Sequence, residues 1–251
     1  MSIKGNIICI GGDGIYPEEK ILLDIYILSQ SKPNPKICLL PTASADNRDY
    51  ISYFMENCKY NYKCQPSFLS LFSPHTADIG SFLMEQDIIY VGGGNTKTML
   101  GIWKEWNLPT YLKSACENGT ILAGSSAGAV CWFDQCITDS IPGPFRPMDC
   151  LGFIEGSFSP HYNSQVSRRP AFHKELSAGN IKSGYACDEA VGIHFRDGKL
   201  FKAISSSVDG GFAYKLNGKN DEAEETIIEP EDISNPVNVE KYLVFGSENK
   251  D

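Results

Sequence analysis

No stretch of this chain approaches the roughly 20 consecutive apolar residues that cross a bilayer. Its first residues, Met1-Ser2-Ile3-Lys4-Gly5, run into a strand-like segment without an apolar leader or a small-residue cleavage site. Neither a membrane anchor nor an export signal is therefore expected. Basic charge is in deficit: 22 Lys and Arg stand against 31 Asp and Glu, a formal net charge of −9. That disfavours the basic face, with its counterion release, on which binding to nucleic acid depends. The nine cysteines include no Cys-x-x-Cys pair and are odd in number, which suggests neither a zinc ribbon nor a disulfide framework. Cys9 and Cys38 lie inside apolar runs, where a free thiol behaves as a small hydrophobe. The expectation is a cytoplasmic protein in a reducing compartment, with no membrane or nucleic acid partner, no metal and no cofactor. Histidine is scarce too, with four in the chain, which leaves few candidates for a general base.

What is present is ordinary globular material, 42% hydrophobic and 21% charged over 251 residues, expected to fold as one domain spanning residues 1–251. Short apolar runs recur at Ile7 to Ile10, Ile37 to Leu40, Phe68 to Phe72, Ile88 to Val91 and Ile121 to Ala123. Segments of helical spacing lie between them, at Glu18 to Gln30, Tyr50 to Tyr60 and Tyr111 to Glu117. This alternation predicts an α/β protein with a mostly parallel sheet flanked by helices. Farther on, Val191 to Phe195, Leu200 to Ile204 and Gly211 to Leu216, separated by Asp197-Gly198 and Asp209-Gly210, read as an antiparallel C-terminal extension with hairpin turns. The acidic cluster from Asp221 to Asp232 reads as a solvated loop.

Ligands on such sheets bind beyond the carboxyl ends of the strands, which directs attention to four turns: Gly11-Gly12-Asp13-Gly14, Pro41-Thr42-Ala43-Ser44, Gly92-Gly93-Gly94-Asn95-Thr96 and Gly124-Ser125-Ser126-Ala127-Gly128. The first fails as a dinucleotide fingerprint because Pro17 stands at the third glycine position, and the third lacks the glycine that precedes the lysine of a phosphate loop. The fourth has the layout of a nucleophile elbow, a strand, a tight turn carrying serine, then helix-compatible Ala129 to Phe133. A serine hydroxyl needs a base to take its proton. His75 lies in a loop, His173 in a helical segment and His194 within a strand pattern, whereas His161 ends a strand-like run in Phe158-Ser159-Pro160-His161-Tyr162, where a base is expected. A third group must fix its tautomer, and Asp139, Glu155, Asp188 and Glu189 all remain candidates. The glycines of Gly92 to Asn95 would let backbone N–H groups approach a reacting carbonyl, or simply end a strand.

Taken in order, Val91-Gly92-Gly93-Gly94-Asn95-Thr96, Ala123-Gly124-Ser125-Ser126-Ala127-Gly128-Ala129, Ser159-Pro160-His161-Tyr162, Arg169 with Lys174-Glu175-Leu176, and Asp188-Glu189 resemble the peptidase S51 family, serine peptidases that include the aspartyl dipeptidases of the peptidase E type. The resemblance runs from about residue 5 to 215. It implies a class I glutamine amidotransferase-like, flavodoxin-like fold and hydrolysis of short peptides, notably N-terminal Asp-X dipeptides, through an acyl-enzyme. By that resemblance Ser126 is the nucleophile, His161 the base and Glu189 the acid. The N–H groups of Gly94 and Ala127 form the oxyanion hole, Asn95 and Thr96 belong to the substrate wall, and Arg169 reads the substrate aspartate. A homodimer is implied as well. Ser125 stands where bacterial relatives carry tryptophan, Tyr162 replaces a phenylalanine, and Ile137 to Pro147 does not match closely. Related readings are an isoaspartyl peptidase of the cyanophycinase type and a sensor of the same fold without turnover.

Overall fold

The apolar runs become strands because each is covered on both faces. The computed structural model describes residues 3–13, 17–207, 210–219, 222–233 and 241–244. Its first half runs β1 (Asn6–Ile10), α1 (Pro17–Ser29), β2 (Lys36–Leu40), α2 (Arg48–Asn61), β3 (Gln65–Phe68), α3 (Ile79–Met84), β4 (Ile88–Val91), α4 (Thr96–Glu105), α5 (Leu108–Glu117), β5 (Ile121–Ser125) and α6 (Ala127–Val130). The second half runs β6 (Phe133–Thr138), β7 (Arg146–Asp149), β8 (Ile154–Ser159), α7 (Arg168–Ser177), β9 (Gly184–Cys187), β10 (Val191–Arg196), β11 (Lys199–Ser205), β12 (Ala213–Lys219), β13 (Glu222–Ile228) and β14 (Glu231–Asp232).

An eight-stranded sheet has the order β14-β11-β10-β1-β5-β4-β2-β3. The pairs β1·β5, β5·β4, β4·β2 and β2·β3 are parallel, and β10 extends the sheet antiparallel to β1. Helices cover both faces: Leu23, Ile27 and Cys58 of α1 and α2 pack on one, while Met99, Trp103 and Leu112 of α4 and α5 pack on the other. This is the α/β architecture expected from the alternation of runs. A six-stranded sheet, β13-β12-β9-β8-β6-β7, packs through aromatic contacts onto the first. Phe133 stacks on Phe158 with centroids 4.9 Å apart and meets Phe195 of β10 edge-on at 5.5 Å.

Several local expectations are corrected. The third run forms its strand at Gln65–Phe68, earlier than Phe68 to Phe72. Beyond it Leu69 and Leu71 are buried as core-filling loop residues, and Phe72 is exposed. Pro66 lies inside β3, which among the described residues pairs with β2 alone and so forms an edge of that sheet. The Asp197-Gly198 hairpin forms between β10 and β11 with both residues at positive φ, as a tight hairpin turn requires. The following run does not continue that meander: β12 crosses to the second sheet between β9 and β13, and Asp209 lies outside the described residues. The acidic cluster is largely strand, because Glu222–Ile228 pairs along β12. Asp221 is outside the described residues.

Candidate active site

The elbow is built by close backbone packing. A Cβ on Gly124 would fall 2.4 Å from the Gly128 carbonyl oxygen, and one on Gly128 would fall 2.0 Å from the Val91 carbonyl oxygen. Both flanks must therefore be glycine, which brings the turn against β4. Between them Ser126 is held at φ 54°, ψ −112°, a strained conformation for a residue with a side chain. It is fixed from both sides: its N–H donates to the Ile10 carbonyl (3.2 Å), and its own carbonyl accepts from Ala129 and Val130 (3.0 Å each). The following helix is shorter than its apolar residues suggest. α6 ends at Val130, since Leu151 and Gly152 bond back to the Cys131 and Phe133 carbonyls and draw the chain into β6. One turn supplies little macrodipole, so local N–H groups carry the electrostatics there.

His161 follows β8, also at positive φ (53°), with its N–H donated to the Gly11 carbonyl at 2.9 Å. Its Nε2 lies 2.8 Å from Ser126 Oγ and its Nδ1 2.5 Å from Glu189 Oε1. Glu189 Oε1 also accepts from Ser164 Oγ at 2.7 Å, while the Glu189 N–H donates to Asn163 Oδ1. The Gly11-Gly12 turn explains itself here, because a Cβ on Gly12 would lie 1.8 Å from Glu189 Oε2. The first glycine turn thus makes room for a carboxylate of the chain itself. Neither that contact nor Ser164 is visible in sequence spacing, because the first depends on β1 and β10 being neighbours and the second on β8 and β9 being neighbours.

The other acids make no hydrogen bond to His161, whose ring partners are Ser126 and Glu189. Asp139 points toward Arg168, Glu155 is exposed on β8, and Asp188 accepts from the Phe212 N–H and the Tyr214 hydroxyl. Burial pushes the Asp188 carboxyl above its usual range. His173 sits 2.9 Å from Glu225 on α7, and buried His194 lies between Tyr26 and Asn6.

Ser126 borders two hollows. An open cleft of ≈ 410 Å³ is lined by Asp13, Ser44, Tyr50, Gly93 and His161 as well. A smaller recess of ≈ 20 Å³, room for about one water, is bordered by Gly94, Thr96, Ala127, Thr138, Asp139 and Arg168. Gly94 has φ +138°, and a Cβ there would meet the Ala43 carbonyl oxygen at 2.1 Å. The expected residues Gly94, Thr96 and Ala127 therefore share one recess with Ser126. Asn95 does not, since its Oδ1 caps α4 by accepting from the Thr98 N–H and its Nδ2 donates to the Ser140 carbonyl. Nor does Arg169 line either hollow. Its Nε and Nη2 grip Glu225 of β13 at 3.2 and 2.8 Å, over the rings of Tyr162 and Tyr214. Partial burial opposes the Arg169 charge, but the hydrogen bonds and charge of Glu225 outweigh it and hold its pKa above the usual value. Arg168 escaped the sequence reading, although helix phase marks it: Arg168, Phe172 and Leu176 recur every four residues and are the buried residues of α7.

The chain matches the model of peptidase family S51 over residues 7–203. It is 48% identical over 212 residues to an uncharacterized peptidase, YgaJ, of Bacillus subtilis (strain 168), covering 84% of this chain and 91% of that one. Peptidase E of Pasteurella multocida (strain Pm70) is 30% identical over 155 residues, 55% of this chain and 65% of the relative. Among solved structures, a peptidase from an acI-B1 Actinobacterium superposes with TM-score 0.60 at 16% identity, covering 89% of this chain and 94% of that one. A putative peptidase E protein from Listeria monocytogenes EGD-e gives TM-score 0.53 at 16% identity over 91% and 100%.

Proposed function

We propose, from the premise that this chain belongs to peptidase family S51 and is a peptidase, that it hydrolyses short peptides by a serine acyl-enzyme mechanism and acts on N-terminal Asp-X dipeptides. The observation that carries the reading is the continuous relay from Ser126 Oγ through the His161 ring to Glu189. His161 Nε2 accepts the hydroxyl proton as Oγ attacks the peptide carbonyl carbon. The carbonyl oxygen becomes an oxyanion facing the Gly94 and Ala127 N–H groups, each such donor being worth about 2.7–4 kcal/mol in related chemistry. Collapse breaks the C–N bond, and His161 passes its proton to the leaving amine. Water then attacks the ester, giving its proton to His161, and Ser126 leaves with that proton restored. Glu189 accepts from Nδ1–H throughout, fixing the tautomer and stabilising the imidazolium.

The recess beside the nucleophile is small, ≈ 20 Å³, and the adjoining open cleft of ≈ 410 Å³ falls at the low end of the ~300–1,000 Å³ of ligand pockets, which supports a short peptide. The walls of the recess carry the polar Thr96 and Thr138 and the opposite charges of Arg168 and Asp139, beside the apolar Val130 and Ile137. A cytoplasmic setting is supported by nine cysteines that all carry free thiols. The test is a dipeptide panel with wild type and Ser126→Ala, beside labelling with a fluorophosphonate. Cleavage of Asp-X and labelling, both lost in Ser126→Ala, are expected. Cleavage of β-linked aspartyl bonds alone would replace the substrate assignment with the isoaspartyl one, and unlabelled, inactive wild type would overturn the enzyme reading.

A further inference from the structure

Among the described residues that line the open cleft beside Ser126, Asp13 alone carries a carboxylate. It is exposed, and no hydrogen bond or ion pair holds its side chain among the described residues. Lys20 lies within its electrostatic reach, but Lys20 Nζ is already bonded to both oxygens of Asp24, at 3.1 and 3.2 Å, and does not line the cleft. The backbone that carries Asp13 is tied to the triad. The Gly11 carbonyl accepts from the His161 N–H at 2.9 Å, and the Gly12 carbonyl accepts from the Ala190 N–H, next to Glu189, at 3.1 Å. Asp13 therefore leaves β1 on the same frame that holds the base and the acid.

Tyr50 forms the neighbouring wall. It stands in the first turn of α2, where its N–H donates to the Asn47 side chain at 2.9 Å. A Cβ on Gly92 would fall 2.6 Å from its ring, so glycine there lets the ring into the cleft beside Gly93. After burial, the charge of Asp13 is the largest influence raising the Tyr50 pKa, which places the carboxylate close to the ring. A carboxylate and an aromatic ring are the two groups that hold an organic ammonium, one by charge-assisted hydrogen bonds and the other through its π face.

A peptide whose first residue is the acyl part brings such an ammonium with it. Its nitrogen stands two bonds, about 2.5 Å, from the scissile carbonyl carbon, so it lies beside Ser126 whatever the side chain does. The other carboxylates nearby are poorly placed for it. Glu189 is committed to His161 and Ser164, and Asp139 stands 3.8 Å from Arg168 at a recess with room for about one water.

We infer that Asp13 binds the free α-ammonium of the substrate's first residue, with the Tyr50 ring flanking it, and so makes the enzyme select an unblocked N-terminus. The assignment rests on the peptidase reading above and adds to it the residue that recognises the chain end. An unpaired carboxylate gains this partner without first losing another.

The experiment compares kcat/KM for Asp-Leu and succinyl-Leu, the same compound with hydrogen in place of the ammonium. Wild type should prefer Asp-Leu by about 100-fold or more, because a site built for one polar group rejects the analogue that lacks it. Asp13→Asn should bring the two within about tenfold, while Asp139→Asn keeps the wild-type ratio whatever it does to the rate. The ammonium also activates its own carbonyl by induction, so the reading is the change in ratio between proteins, which that effect cannot produce. Succinyl-Leu is equally the des-amino form of the β-linked dipeptide, and the comparison holds for either linkage. A ratio unmoved in Asp13→Asn, or lost in Asp139→Asn with Asp13 intact, overturns the assignment. Should Asp13→Asn not fold, Asp13→Ser reads the same ratio with a smaller neutral side chain. Fluorophosphonate labelling separates the two failures: labelled protein whose ratio ignores Asp13 defeats this assignment, and unlabelled, inactive wild type defeats the serine peptidase reading.

Discussion

The two sheets hold their halves of the site by different means. On the eight-stranded sheet the nucleophile is set by backbone: glycines at 124 and 128 allow contacts that any Cβ would forbid, and Ser126 is pinned at φ 54° by hydrogen bonds of its main chain. On the other side His161 follows β8 of the six-stranded sheet, and Glu189 follows β9; they are aligned with Ser126 by side-chain hydrogen bonds, with Ser164 and Asn163 behind Glu189. Backbone constraint fails all at once, with the fold. Side-chain constraint can fail alone, leaving a folded protein whose chemistry is lost.

That contrast can be broken from either side. Ser126→Ala should lower kcat by about 10⁶-fold with the melting temperature little changed, as removal of a triad nucleophile does elsewhere. Glu189→Gln should cost about 10⁴-fold by stabilising the wrong tautomer. Gly12→Ala should act in the same direction with little loss of stability, because its Cβ meets the movable end of Glu189. Gly124→Ala opposes backbone to backbone, so unfolding in urea should show a loss of about 3 kcal/mol or more, of the size overpacking produces. If Gly124→Ala stays stable while Gly12→Ala unfolds, the distinction between the sheets is wrong.

Two pH effects sharpen it further. His194 of β10 is fully buried, with Nδ1 accepting from the Tyr26 hydroxyl and Nε2–H donating to Asn6 Oδ1. Burial, then Arg196 and Lys202, lower its pKa from 6.5 to about 4. The folded state thus takes up this proton later than the unfolded one. Its contribution is complete above pH 6.5 and falls away toward pH 4, up to about 3 kcal/mol. Urea melts from pH 7 to 4 should show this slope, and His194→Gln should flatten it. The smallest effect belongs to Glu225. Burial opposes its charge, but Tyr162, His173 and Arg169 together hold its pKa below the usual 4.5. This stabilisation is present above pH 4.5 and is lost as pH falls through the lower folded value. Glu225→Gln should cost on the order of 1 kcal/mol at pH 7 and progressively less as the pH falls below 4.5, with kcat for a good substrate unchanged.

Much of the first sheet was legible because its strands are short apolar runs whose partners lie in similar runs. The elbow and His161 were legible because glycine spacing and histidine scarcity are local facts. Glu189 could not be chosen from Asp139, Glu155 and Asp188 by spacing, since its place beside His161 depends on β9 pairing with β8 and its place against Gly12 on β10 pairing with β1. The resemblance to a known family named it. That same resemblance pointed to Arg169, which the structure places on Glu225, whereas the four-residue spacing of Arg168, Phe172 and Leu176 marks the buried stripe of α7. Glu225 was hidden for a related reason: in a run of acidic residues, nothing local separates the one that turns inward from those that face water.

The proline in β3 has a consequence for how the molecule behaves at high concentration. The Gln65 and Leu69 N–H groups donate inward, to the Pro35 and Leu39 carbonyls, so by strand alternation position 66 faces outward. There proline removes a donor from a border only four residues long. Among the described residues of that border Phe68 alone offers an outward N–H, too little to template a strand from another molecule. Pro66→Val would restore the missing donor and turn a blunt border into a sticky one, making this otherwise silent position a guard against aggregation.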